Sequence, residues 1–132
     1  MADYRETVDY ILGIPLFAQK IGKENLSSLL CRLGNPEKAV PAIHVAGTNG
    51  KGSTCRALAQ MLAARGYRVG LFISPHLVSI NERIQINGTN ISDDDFVSAF
   101  ETVKGQFMEH PSFFEVMFAM AAVYFRQQKC DF

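Results

Sequence analysis

Apolar residues along this chain recur mostly at every third or fourth position. This spacing places them on one face of a helix and predicts amphipathic helices. The predicted helices run from Tyr4 to Leu12, from Glu24 to Leu33, from Lys51 to Arg65, from just after Ser92 to Phe107, and from Ser112 to about Lys129. Ser92 with Asp95 resembles a capping box, and Ser112 with Glu115 repeats the pattern, which favours a helix start at each.

Extended segments lie between these helices. Ala42 to Ala46 is a short apolar run before a glycine cluster, and Arg68 to Ile73 is a second one. Because a helix separates them, the crossover predicts that the two strands pair in parallel. Arg83 to Ile86 alternates polar and apolar residues, and Asn87-Gly88 is a strong signal for a hairpin turn. Cys130 to Phe132 has the character of the first residues of another strand.

These elements predict an α/β fold, with a parallel sheet flanked by helices and a small β-hairpin. At 132 residues the chain is long enough for one such domain. Its 13 basic and 13 acidic side chains leave no net charge, which argues against a nucleic-acid partner. The most apolar stretch is too short to span a membrane, so we expect no membrane partner. Three dispersed cysteines and the absence of a secretory signal indicate a cytoplasmic location.

A glycine-rich segment joins the first predicted strand to the third helix. It reads Gly47-Thr48-Asn49-Gly50-Lys51-Gly52-Ser53. Glycines let backbone N–H groups wrap around a phosphate, and the following helix start adds a positive dipole. Lys51 supplies a mobile positive charge for the β and γ phosphates, and the hydroxyl of Ser53 could contact phosphate or magnesium. The segment therefore predicts a site for the phosphates of ATP.

This segment departs from the literal Walker pattern, because Val45 and Gly52 stand where that pattern has glycine and a hydroxyl residue. The alternative interpretation is a glycine-rich turn between strand and helix that carries an exposed lysine. A strand before the segment and a helix after it favour the phosphate interpretation.

Several further motifs accompany this loop in the same order along the chain. They are Leu33-Gly34-Asn35-Pro36, the run Ile43 to Ser53, Ser74-Pro75-His76-Leu77, Glu82-Arg83-Ile84 and Ile86-Asn87-Gly88. Together they resemble the folylpolyglutamate synthases, which are often bifunctional with dihydrofolate synthase. The resemblance covers essentially all 132 residues. It implies the fold of the central ATPase domain of the Mur ligases.

The resemblance also implies an activity. Such enzymes are ATP-dependent ligases that phosphorylate a carboxylate and then let the amine of L-glutamate attack the acyl phosphate to form an amide. The carboxylate would belong to dihydropteroate or to a reduced folate. ATP and Mg²⁺ would be the cofactors, and the full-length enzyme would be a monomer.

Site residues carry over where the motifs match. Thr48, Asn49, Gly50 and Lys51 match the nucleotide-contacting part of the loop, which Gly47, Gly52 and Ser53 complete, with Lys51 in the catalytic role. Ser74 matches a magnesium ligand, although a Ser-Pro pair is also common in simple turns. Ser112-Phe113-Phe114-Glu115 matches a stretch that contacts the pteroate part of the substrate. Its alternative interpretation is a capping box with two core phenylalanines.

Other residues with possible chemistry receive structural interpretations. His44 lies in an apolar run and is expected to be a packed core residue, while His76 is expected in a loop near the nucleotide. Asp93, Asp94 and Asp95 stand at a predicted helix start, where acidic groups are stabilised by the helix dipole. We therefore predict no metal site at the three aspartates.

Features that the family carries further along do not occur in this sequence, including a carboxylate and a histidine metal ligand and a C-terminal domain. We expect residues 1–132 to be the N-terminal part of the ATP-binding domain, inactive alone, with an unpaired position in its sheet that favours self-association. Two alternatives stay open: a nucleotide-binding or interaction module without catalysis, and a Mur ligase with another substrate.

Overall fold

The computed structural model describes residues 3–15, 24–46, 50–107 and 111–132. Its helices are α1 (Tyr4–Leu12), α2 (Glu24–Arg32), α3 (Lys51–Ala64), α4 (Asp93–Lys104) and α5 (Phe113–Gln127). Its strands are β1 (Gly70–Phe72), β2 (Ile84–Ile86) and β3 (Thr89–Asn90). Short 3-10 turns occupy Pro36–Lys38 and Ile80–Arg83.

The five predicted helices are confirmed, with ends that differ from prediction by a few residues at most. Side-chain caps explain several of the starts. Asp3 Oδ1 accepts the N–H of Glu6 at 2.8 Å before α1, and Ser92 Oγ accepts the N–H of Asp95 at 3.1 Å before α4. Gly34, which follows α2, has a φ of +85°, a conformation that favours glycine and ends the helix as predicted.

Helix α5 lies at the centre of the hydrophobic core. It packs against α4, α1, α2 and β1. The largest side chains that are wholly buried in the core include Ile11, Ile84, Phe96, Phe100, Met117 and Met120. Although α5 is the most apolar helix, no helix in the described part of the chain is long and apolar enough to cross a membrane.

The described strands form one antiparallel sheet in the order β1-β2-β3. Gly70 pairs with Ile86 and Phe72 with Ile84, and β2 turns back into β3 through Asn87 and Gly88. Both turn residues have positive φ, at 48° and 82°, as a tight two-residue hairpin requires. The predicted hairpin is therefore confirmed.

The prediction that Ala42–Ala46 forms a strand parallel to β1 is wrong for this structure, in which residues 41–46 have no strand pairing. Residues along a strand direct their N–H and C=O groups alternately to its two edges. On the edge of β1 that faces away from β2, Gly70 N–H donates to Phe132 O at 2.8 Å, and Asp131 N–H donates to Arg68 O at 2.7 Å. The last residues of the chain therefore run beside β1 in the same direction, in the position predicted for Ala42–Ala46.

Helix α3 packs more loosely than the rest of the molecule. It contains no buried residue, and Met61 is 65% exposed. An apolar cavity of about 500 Å³ lies beside the contact between α3 and β1, and its lining includes Leu58 and Leu62 of α3 and residues of α5 and of the segment 36–45. The apolar face of α3 meets this cavity because the preceding segment is not inserted into the sheet.

Candidate functional site

The start of α3 has an exposed set of backbone donors. Gly50, the residue before the helix, has a left-handed φ of +73°, and no atom lies within 4 Å of the position that a Cβ would take. Lys51 and Ser53 are exposed in the first turn. Among the described residues no side chain caps this helix, and its first turn contains no acidic residue. Gly47, Thr48 and Asn49 lie outside the described residues, so their predicted phosphate contacts stay predictions.

Ser74 lies close to the end of β1 and is exposed. A short connection, residues 65–69, joins α3 to β1, and the two elements pack against each other. A helix and a strand that are joined by a short turn and packed together run in opposite directions. The start of α3 and the carboxyl end of β1, with Ser74, therefore lie at the same end of the molecule.

The loop after Ser74 is held by a carboxylate. Glu82 accepts hydrogen bonds from three successive backbone N–H groups, those of Leu77 at 3.0 Å, Val78 at 2.9 Å and Ser79 at 2.7 Å. These bonds lower the pKa of Glu82 to about 2 because they stabilise the ionised carboxylate, and the bond from Leu77 has the largest effect. The carboxylate is therefore charged throughout the neutral range.

A second contact holds the same loop from Arg83. Its Nε donates to His76 Nδ1 at 2.8 Å, and its guanidinium lies 5.0 Å from the centre of the Phe113 ring. Burial, followed by the charge of Arg83, lowers the pKa of His76. Since a guanidinium only donates, the imidazole accepts at Nδ1 and carries its proton at Nε2. Arg83 thus links the loop to the first residue of α5.

The predicted pteroate-contacting stretch begins α5. Glu115 N–H donates to Ser112 Oγ at 3.2 Å, and Ser112 N–H donates to Glu115 Oε1 at 2.9 Å, which completes the capping box. Ser112, Phe113 and Glu115 are buried, whereas Phe114 is 49% exposed, with its ring centre 5.8 Å from that of Phe72. The capping box is therefore observed and Phe113 is a core residue, but Phe114 is not. Phe114 presents an aromatic surface that a flat ligand could contact.

Three parts of the predicted site thus lie around the carboxyl end of β1: the start of α3, the loop after Ser74 and the start of α5. Sequence reasoning assigned no role to Glu82 or Arg83. The available signals were the charge of these two residues and their place in one of the motifs that carry the resemblance. His44 is exposed, so its expected burial in the core is wrong for this structure.

Asp93, the first of the three aspartates at the start of α4, has a structural contact. The side chain of Asn81 is buried. Its NH₂ group donates to Asp93 Oδ1 at 3.0 Å and to the backbone oxygen of Ile91 at 2.8 Å. Its Oδ1 accepts a hydrogen bond from the hydroxyl of Tyr4. Within the described part of the chain, no cluster of three or more His, Cys, Asp or Glu side chains could hold a metal ion.

No family model matches this chain. It is nevertheless 40% identical to the dihydrofolate synthase/folylpolyglutamate synthase of Bacillus subtilis, over 98% of this chain and 32% of that protein. The chain is a homologue of the folylpolyglutamate and dihydrofolate synthases. It spans about a third of the length of that protein and of the folylpolyglutamate synthase of Lacticaseibacillus casei, to which it is 39% identical over 98% of this chain.

Solved folylpolyglutamate synthases have the same fold over this region. The enzyme from Thermotoga maritima superposes with a TM-score of 0.90 at 41% identity, covering 97% of this chain and 31% of that one. A folylpolyglutamate synthase in complex with AMPPCP and folate superposes with a TM-score of 0.92 at 38% identity, covering 98% of this chain and 34% of that one. The predicted α/β class and the resemblance are confirmed.

Proposed function

We propose that this chain forms the nucleotide-binding region of an ATP-dependent ligase that adds L-glutamate to the carboxylate of a folate or of dihydropteroate. The γ-phosphoryl group of ATP passes to the carboxylate, giving ADP and an acyl phosphate. The amine of glutamate then attacks the acyl carbon, and inorganic phosphate leaves as the amide forms. Activation is needed because a carboxylate is a poor electrophile until one of its oxygens becomes part of a phosphate leaving group.

The observation that supports this proposal most is the open start of α3. The first N–H groups of a helix have no partner within the helix, and the helix dipole favours an anion beside them. Gly50 leaves room for close approach of a phosphate, and Lys51 adds a positive charge. The similar protein solved with AMPPCP and folate is consistent with this assignment.

The residues present also suit Mg²⁺. This ion prefers oxygen ligands and usually keeps several waters while sharing phosphate oxygens with the protein. Ser53 and Ser74 offer exposed hydroxyl oxygens at the same end of the molecule, and the described residues lack a complete protein cage for a metal. When bound, the ion neutralises charge on the phosphates. Ser74 and Ser53 would hold it, and Lys51 would orient the phosphates.

On the substrate side, Phe114 is the exposed aromatic residue at the start of α5. The capped helix start holds the backbone of Phe114, and Phe72 contacts one side of its ring. A pterin ring is flat and could stack on the open side. Ser112 and Glu115 would act indirectly, by holding the turn that presents Phe114.

The test is Lys51→Ala in the protein that carries this chain, with Lys38→Ala as the control for loss of an exposed lysine. We expect phosphate release from ATP only when glutamate and a reduced folate or dihydropteroate are both present. Lys51→Ala should reduce this release by at least about a hundredfold, the scale seen when a transition-state charge partner is removed. Turnover without glutamate, or full activity in Lys51→Ala, would contradict the proposal.

A further inference from the structure

The loop that follows Ser74 is not held in place by burial of its side chains. Leu77 is 88% exposed and Val78 is 92% exposed, the two largest exposures among the large hydrophobic side chains that the structure describes. Two adjacent aliphatic residues in water contribute almost nothing to the stability of a loop. Its shape therefore depends on the polar contacts at its two ends.

Glu82 supplies the contact at the far end. One carboxylate oxygen accepts from Leu77 N–H, and the other accepts from the N–H groups of Val78 and Ser79. The same bond to Ser79 closes the capping box of the 3-10 turn that follows. Hydrogen bonds to an ionised acceptor are about twice as strong as bonds between neutral groups. One side chain thus fixes three successive peptide groups.

Arg83 supplies the contact at the near end. Its bond to His76 fixes the residue that lies two positions after Ser74. The Phe113 ring beneath the guanidinium connects this contact to α5, the most buried helix. Loop residues 76–79 therefore have contacts to two parts of the molecule: through Arg83 to α5, and through Glu82 to the 3-10 turn before β2.

We propose that Glu82 and Arg83 are positioning residues that hold the loop after Ser74 in the shape required to bind a magnesium-bound nucleotide. This inference rests on the proposed function, because it assigns the loop to the metal side of that site. Neither residue needs to touch the ligand. They act through the three N–H groups and His76.

Glu82→Gln is the sharpest test, since it preserves the size and shape of the side chain. The amide has one oxygen in place of two, and its NH₂ group must face at least one of the three N–H donors. Asp3→Asn is the matched control, because Asp3 also accepts a backbone N–H at the start of a helix, away from this loop. Both variants remove one negative charge.

The first measurement is amide hydrogen exchange on the chain without ligand. In Glu82→Gln the amides of Leu77, Val78 and Ser79 should exchange about tenfold faster or more, as expected for loss of charged hydrogen bonds. The same amides should be unchanged in Asp3→Asn. Unchanged exchange in Glu82→Gln would overturn the proposal.

The second measurement is the affinity for ATP as a function of Mg²⁺ concentration. Glu82→Gln should require about tenfold more Mg²⁺ for the same ATP affinity, and saturating Mg²⁺ should restore most of the binding. A loop that exchanges faster while its Mg²⁺ requirement stays the same would show a purely structural role and overturn the proposal. Absence of magnesium-dependent ATP binding by the unmodified chain would instead count against the proposed function.

Arg83→Lys provides a second route if Glu82→Gln does not fold. Lysine keeps the positive charge over Phe113 but lacks the planar Nε–H that reaches His76. We expect Arg83→Lys also to need more Mg²⁺ for the same ATP affinity. The increase should be smaller than in Glu82→Gln, because the three hydrogen bonds to Glu82 remain. A Mg²⁺ requirement equal to that of the unmodified chain would overturn the assignment of Arg83.

Discussion

The starts of α3 and α5 differ in whether side chains cap their first backbone N–H groups. At α5, Ser112 and Glu115 cap each other's N–H groups, and both side chains are buried. At α3, Gly50 has no side chain to offer, and Lys51 faces solvent with no acidic residue in the first turn. No side chain in the described part of the chain caps the corresponding donors at α3, which could therefore bind an anion.

The difference extends along the two helices. Most of α5 is buried in the core, from Phe113 to Tyr124, whereas α3 has no buried residue. Burial of apolar surface stabilises α5 and fixes its place in the fold. Helix α3 stabilises the fold less and keeps its first turn open. The fold thus separates a helix that holds the structure from a helix that offers a binding site.

The largest expected effect compares two methionines. Met117 in α5 is fully buried, whereas Met61 in α3 is 65% exposed. Met117→Ala should lower the free energy of unfolding by about 2 to 5 kcal/mol, because it leaves a cavity in the core. Met61→Ala should change it by less than about 0.5 kcal/mol. Urea unfolding of both variants measures the difference, and equal losses would show that α3 is as important for stability as α5.

A smaller effect should appear when α3 is given the acid that its first turn lacks. Ser53→Asp should raise the free energy of unfolding by about 0.3 to 1 kcal/mol through the helix dipole. It should weaken ATP binding about tenfold or more, because the carboxylate repels phosphate. Titration calorimetry and thermal unfolding measure the two opposite changes. Ser98→Asp, which adds the same charge at an exposed site within α4, should leave ATP affinity unchanged.

The last comparison uses two serines near helix starts: Ser112 directly precedes α5, and Ser53 is the third residue of α3. Ser112→Ala removes a cap and should lower the free energy of unfolding by about 1 kcal/mol. Ser53→Ala removes an exposed hydroxyl that caps nothing in the described structure and should change it by less than about 0.5 kcal/mol. Urea unfolding of both variants measures the two changes, since at a constant m-value a shift of the midpoint reports the change in the free energy of unfolding. A comparable loss in both would mean that Ser53 has a structural role.

Much of the fold could be predicted because its signals are local. The capping residues Ser92 and Ser112 mark helix starts, and Asn87-Gly88 marks the hairpin, since each acts through its own backbone neighbours. The position of Ala42–Ala46 could not be predicted in this way. Strand pairing depends on which segments compete for an edge, and residues 131 and 132 occupy the edge of β1.

The candidate site likewise has parts that the sequence predicts and parts that it does not. The open start of α3 was predictable, because glycines and a lysine before a helical stripe describe it locally. The roles of Glu82 and Arg83 were not, since each depends on a loop geometry that brings distant donors and acceptors together. The burial of Ser112, Phe113 and Glu115 also required the structure, because a capping box can lie at the surface or in the core.

Titration of the ¹⁵N-labelled chain with ATP and Mg²⁺, followed by backbone amide NMR, tests the central comparison most directly. We predict that the amides of Lys51, Gly52 and Ser53 shift progressively with ATP, because these N–H groups precede the first bond within the helix, which Thr54 N–H donates to Gly50 O. The amide of Glu115 should not shift in this way, since Ser112 already accepts its proton. Saturable shifts at the start of α5 with none at the start of α3 would contradict the account.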